Sequence, residues 1–215
     1  MKRSLGTALL SLTLVAACNV DSAVLETSTT EKFAPAKMDI SMKGSSIAFD
    51  GNPVQLGQSL LSWKKAIPAA IRCTDERVLP VMCTWDQIGL QVGTDDSGKN
   101  VKFASLFLLD PKIDLEPLPS LPDGTPAGVS HVPLPPKFPF LGRLQLDGVD
   151  ITRNKQFSQV RDSIDKGRRV RCRISDCSLP HGSFGNGAQI FFELDGSSET
   201  NTIARIGLSL ASEKF

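Results

Sequence analysis

Two stretches of this chain carry the same pattern in the same order. A repeat constrains a fold more than a single motif does, because each copy must satisfy the same local rules. Ile47-Ala48-Phe49-Asp50-Gly51 matches Leu144-Gln145-Leu146-Asp147-Gly148, and a β-branched residue, Val54 or Ile151, stands three places after each glycine. Asp-Gly between short alternating runs predicts a hairpin, since a type I′ turn needs positive φ at both central residues. The copies continue without a gap. Leu60, Trp63 and Ile67 align with Phe157, Val160 and Ile164, an i, i+3, i+7 stripe that predicts one apolar face of a short helix. Ser59 and Asn154 are the candidate N-caps, and Pro68 and Gly167 stop the helices.

Each helix is followed by an Arg-Cys pair, Arg72-Cys73 or Arg171-Cys172, and then by a second cysteine, Cys83 or Cys177. Leu90 and Val92 correspond to Ile190 and Phe192, and Asp95 with Ser97 to Asp195 with Ser197. Each copy ends in an alternating strand: Val101, Ala104, Leu106 and Leu108 have the spacing of Ile203, Ile206, Leu208 and Leu210. Each copy therefore reads ββαββ. The expected class is α+β, with two duplicated units, each an antiparallel sheet with one helix packed on it. The units span residues 38–110 and 140–215. A core of about 70 residues is marginal by itself, so the units are expected to share an interface. Residues 111–139 join them with nine prolines and no periodicity. That composition reads as an extended strap packed on the protein, the other reading being a docking motif for a partner.

The chain has 24 Lys plus Arg against 23 Asp plus Glu, a net charge of +1, so no strong field favours nucleic acid. Bridges within the units, Cys73 with Cys83 and Cys172 with Cys177, are the most economical, although four cysteines allow three connectivities. No pair has the Cys-x-x-Cys spacing of a zinc or redox site, and neither a metal nor a cofactor is expected. His131 and His181 are the only histidines and Tyr is absent, which removes common general acids and bases. The loop His181-Gly182-Ser183-Phe184-Gly185-Asn186-Gly187 lacks the Gly-x-Ser-x-Gly elbow, and a histidine two residues away is badly placed to activate Ser183. It reads as a glycine-rich loop before a strand. Thr94 to Asn100 lacks the acidic spacing of a calcium loop and reads as turn chemistry.

The chain opens with Lys2 and Arg3, an apolar run from Leu5 to Leu14, and Val15-Ala16-Ala17-Cys18. The run is too short to span a bilayer. Its ending resembles the lipobox of bacterial lipoproteins. That resemblance implies a signal peptide over residues 1–17 and acylation of Cys18 as the first mature residue, with enough acyl chains for stable anchoring. An ordinary secretory cleavage site with an incidental Cys18 is the alternative. Setting Cys18 aside leaves four cysteines, an even set suited to disulfides in an oxidising periplasm. In that class the residue after the cysteine biases sorting, and Asn19 implies the outer membrane, facing the periplasm. Residues 18–37 are rich in Ser, Thr and Ala and read as a flexible tether with a reach on the order of 25 Å.

Two features suit recognition. Gly167-Arg168-Arg169-Val170-Arg171-Cys172-Arg173 concentrates positive charge beside a cysteine, and Phe184 sits in the glycine-rich loop, where exposure would make it an anchor. Arg168, Arg169 and Phe184 are thus the candidate partner-binding residues. The competing reading is a solvated basic turn with Phe184 folded back on the sheet. The repeat, with Trp85-Asp86-Gln87-Ile88-Gly89-Leu90-Gln91-Val92 before an Asp-Ser-Gly turn, is similar to duplicated envelope lipoproteins of unknown function. Some of these resemble immunity lipoproteins paired with antibacterial type VI secretion effectors such as periplasmic lipases. The resemblance implies a non-catalytic protein that binds and occludes a toxic effector. A structural accessory of envelope assembly or secretion is the second reading, and an enzyme using Ser183 and His181 the third.

Overall fold

Both Asp-Gly pairs turn hairpins in the computed structural model, which describes residues 34–75, 77, 79–111, 135–167, 169–180, 182, 184 and 187–210. Asp50 and Gly51 have φ of 47° and 84°, and Asp147 and Gly148 of 50° and 82°, so both central residues of each turn are left-handed, as type I′ requires. Several sequence expectations lie outside the described residues: the leader, Cys18, the tether before residue 34, strap residues 112–134 with His131, and Arg168, His181 and Ser183.

The elements in chain order are β1 (Asp39–Lys43), β2 (Ser46–Phe49), β3 (Asn52–Gln55), α1 (Leu60–Ala66), β4 (Arg72–Cys73) and β5 (Met82–Trp85). A 3₁₀ turn (Asp86–Ile88), β6 (Leu90–Thr94) and β7 (Val101–Phe107) complete the first half. The second half holds β8 (Arg143–Leu146), β9 (Val149–Ile151), α2 (Ser158–Asp165), β10 (Arg171–Arg173), β11 (Asp176–Ser178), β12 (Ala188–Leu194) and β13 (Ile203–Leu210). Both helices lie where the apolar stripes predict. Ser59 caps α1, its hydroxyl accepting from Ser62 N–H at 3.3 Å. Asn154 does not cap α2, which starts at Ser158 with no side-chain cap on its preceding residue. Asn154 sits in the turn that Lys155 N–H closes onto Thr152 O, and Gln156 bridges to Thr202 while Phe157 and Ser158 N–H donate to Asn201 O and Glu199 O, so the helix starts past Asn154.

The strands form two sheets, and the α+β class holds. One has five strands in the order β3-β2-β1-β8-β9, antiparallel except where β1 runs parallel to β8. The other has eight strands in the order β10-β11-β12-β13-β7-β6-β5-β4, antiparallel throughout. This corrects the expectation of one sheet and one helix per unit. The first half sends β1, β2 and β3 and the second half its hairpin β8–β9 to the five-stranded sheet, and each half sends its last four strands to the eight-stranded one. The count also differs, because β1 and the cysteine-bearing strand pairs β4–β5 and β10–β11 are absent from the ββαββ reading. Joining β7 to β13 satisfies two rows of backbone donors and acceptors that separate sheets would leave on open edges. It also replaces two marginal cores by one.

That core is a single apolar cluster. Ile40, Ile47 and Phe49 of the five-stranded sheet, Trp63 and Ile164 of the helices, and Leu106, Ile206 and Phe192 of the eight-stranded sheet all belong to it. Trp63 meets Phe49 edge-on at 5.9 Å between ring centroids, and Phe157 meets Phe192 at 5.0 Å, so each helix segment ties into the cluster through an aromatic pair. At the β7/β13 seam, Ser105 lies opposite Gly207. Positions matched in the sequence cross-pair around that point: Leu106, matched to Leu208, faces Ile206, and Ala104, matched to Ile206, faces Leu208.

Candidate functional site

The eight-stranded sheet turns Cys83, Val92, Leu106, Ile206 and Phe192 inward, so the alternate residues line its outer face. One row runs across that face at a common strand end. Phe107 N–H donates to Gly89 O at 2.9 Å, Phe107 pairs with Arg205, Arg205 with Glu193, Glu193 with Asp176, and Asp176 with Arg173. Near the middle of this row lies a cleft of about 640 Å³, lined by Phe107, Leu109, Asp110, Arg153 and Arg205 among others. The Arg205 guanidinium forms an ion pair with Glu193 and sits 5.4 Å from the Phe107 ring centre and 5.7 Å from that of Phe191. Gly207 lets the Phe191 ring lie flat on the sheet, because a Cβ there would stand 1.9 Å from Cζ of Phe191. Arg153 pairs with Asp110 at 3.3 Å. The cleft's cations are therefore engaged within the protein.

The end of the row differs. Cys172 and Cys177 are directly opposed across β10 and β11 and joined by a disulfide, as Cys73 and Cys83 are across β4 and β5 at the far edge of the same sheet. In the β4–β5 pair, Thr74 N–H donates to Met82 O at 2.8 Å one step along. The cysteines thus occupy the non-hydrogen-bonded position, where opposed Cα atoms come closest; theirs are 4.0 Å apart. Both bridges match the economical pairing. Beyond the second bridge, Ile174 and Ser175 form a two-residue turn between Arg173 and Asp176. Ile174 has φ of 49° and is 81% exposed. A β-branched side chain in the left-handed region is strained, and strain of this kind collects at functional positions.

The charges around Ile174 are as unusual as its backbone. Arg72, Arg77, Arg143, Arg153, Arg161 and Arg205 each form an ion pair. Among the described residues, the arginines without one are Arg169, Arg171 and Arg173, all exposed and all on the approach to this turn. The sequence counterpart of Arg171 behaves oppositely. Arg72 grips Asp86 through two contacts, at 2.9 and 3.3 Å, and donates to Pro135 O at 3.3 Å, while Asp86 also accepts Lys137 N–H at 3.1 Å. The first half thus spends its arginine on pinning the returning strap, and the second half leaves its own free.

The expected binding residues are only partly brought together. Arg169 is exposed, with φ of 63°. Phe184 is 2% exposed and belongs to the core, which corrects its reading as a surface anchor: the loop before β12 folds it back on the sheet. Ile174 takes its place as the exposed apolar residue beside the arginines. The signal for it was legible, since Arg-Ile-Ser-Asp between paired cysteines has no Gly or Asn where a two-residue turn needs one.

Asp95 is likewise committed to structure. Its carboxylate accepts from the Ser97 hydroxyl at 2.6 Å, from the Asn100 side chain at 3.0 Å and from the Lys99 and Asn100 N–H groups at 3.1 and 3.3 Å. These bonds, that of Ser97 foremost, hold its pKa far below the usual carboxylate range. Among the described residues, no group of three or more His, Cys, Asp or Glu is placed to hold a metal ion, and no helix is long and apolar enough to cross a membrane. A family model described as a domain of unknown function, DUF7738, matches residues 39–161 and ends before the β10–β11 hairpin. No curated protein and no solved structure matches the chain.

Proposed function

The chain belongs to that DUF7738 family, and since the family carries no assigned activity, we propose a function from the residues themselves. The protein is a lipid-anchored binding protein, held by Cys18 in the outer membrane and facing the periplasm. It acts without catalysis, as an immunity or inhibitor protein that occludes a toxic secreted effector such as a lipase. The observation that carries this reading is the disulfide-closed β10–β11 hairpin, where exposed Ile174 stands among the unpaired Arg169, Arg171 and Arg173. Arginine is a preferred anchor of protein interfaces, and a hairpin locked by a disulfide loses little conformational freedom on binding. We also read the two halves as copies of one duplicated unit. Support comes from the cross-paired register at the β7/β13 seam and from matched disulfides at the two edges of the eight-stranded sheet.

The test is an affinity pull-down with the soluble form starting at residue 19, read together with the genes on either side. Nanomolar binding to a neighbouring toxin supports the reading. Cells deleted for this protein that stay unharmed by that effector overturn it. Labelling with palmitate checks the anchor separately, and Cys18→Ala should abolish incorporation.

A further inference from the structure

We infer that the β10–β11 hairpin works as a plug: Ile174 enters an apolar pocket of a protein partner, and Arg169, Arg171 and Arg173 pair with carboxylates on the rim of that pocket. This inference deepens the binding reading above and rests on it. The geometry supports each part. Ile174 projects from the turn with most of its surface in water and, at positive φ, its conformation is costly in the free protein. A single aliphatic group held out on a stapled turn fits a pocket rather than a flat surface.

The flanking charges specify the rim. Each other described arginine has found a carboxylate within the protein, whereas these three have none, although Asp165 and Asp176 are near in sequence. Asp165 accepts Val170 N–H at 3.2 Å, and Asp176 stands opposite Arg173 in the strand pair without an ion pair to it. The surroundings also separate a protein from an anionic lipid surface. Asp110, Asp176 and Asp195 are exposed and lie at the same strand end of the sheet, so a negatively charged plane pressed against this end would meet acids as well as arginines. A partner that engages the hairpin alone meets Asp176 but avoids Asp110 and Asp195.

The full-length chain carrying the photo-crosslinker p-benzoylphenylalanine at position 174 tests this in cells, with the crosslinker at exposed Leu61 as a control. A discrete protein adduct from position 174, absent from position 61 and lost in the Arg171→Glu/Arg173→Glu background, is the expected result. The crosslinked protein, once purified, should bind the Ile174→Asp and the Arg171→Glu/Arg173→Glu proteins roughly a hundredfold more weakly than the wild type. The Lys64→Glu/Lys65→Glu protein, equal in charge change and placed on α1, should bind within a few-fold of the wild type. Adducts with phospholipid alone, equal adducts from both positions, or equal weakening by the α1 variant overturn the inference. Full protection against the effector by both hairpin variants also overturns it, while leaving the immunity reading intact. An adduct with a protein that is not toxic does the reverse.

Discussion

Replacing Ile174 by glycine should stabilise this protein, against the usual direction of point substitutions. Ile174 is the first central residue of a two-residue hairpin turn with φ of 49°, the kind of position that glycine fills without steric cost. A non-glycine residue in the left-handed region costs about 1–3 kcal/mol, and a β-branched one falls in the upper part of that range. Two losses offset the relief. The extra backbone freedom of glycine in the unfolded chain costs about 0.5–1 kcal/mol. With 81% of Ile174 exposed, only about a fifth of its side-chain burial is given up, roughly 0.3–0.6 kcal/mol. The balance is a gain of about 1 kcal/mol, or a melting temperature higher by about 2–4 °C for a body of this size. Urea unfolding of the oxidised, soluble form measures it, and an unchanged m-value would place the effect in the folded state. A loss of 0.5 kcal/mol or more would refute the reasoning, since it would mean that the isoleucine packs rather than strains. The same variant should lose partner binding, so stability and function would move in opposite directions at one residue.

Trp63→Ala removes a fully buried ring packed against Phe49 and should cost about 3–5 kcal/mol by thermal or urea unfolding. Breaking the Cys73–Cys83 or the Cys172–Cys177 bridge, by paired Cys→Ala changes, should each cost about 2–3 kcal/mol; a reducing agent that leaves the melting temperature unchanged would contradict this. Asp95→Asn should lower stability by about 1 kcal/mol at neutral pH through lost charge-assisted hydrogen bonds. Because the folded-state pKa of Asp95 lies below its ordinary value near 3.8, its contribution is present above that pH and fades as the pH falls below it. The gap between wild type and variant, measured by unfolding from pH 7 to pH 2, should therefore close only at the acid end.

Local physics was readable before any tertiary contact was known. The Asp50-Gly51 and Asp147-Gly148 turns, the buried stripes on α1 and α2 and the inward residues of β7 and β13 follow from rules that span a few residues, which also favoured the within-half cysteine pairs over the two other connectivities. Their periodicities needed no partner to be recognised. The start of α2 was not readable, because bonds to Glu199, Asn201 and Thr202, distant in sequence, help decide it. The candidate site was half readable. The arginine cluster stood out by composition, but whether Arg171 is free and Phe184 exposed depends on what the strap and the core cover.

Pattern in the chain was therefore enough to set where both Asp-Gly hairpins, both helices and the long strands of each half lie and which side of each is apolar, and it favoured one cysteine pairing among three. Those properties reside in neighbouring residues. Which strands share a sheet was decided only in three dimensions, where β7 found β13 and β1 found β8 across the length of the chain. Edge strands seek any unpaired edge of matching register, and short sequence windows cannot say which one is nearest. The division of labour between the two arginines was settled at the same level: Arg72 met Asp86 and the returning strap, and Arg171, matched to it in sequence, met solvent.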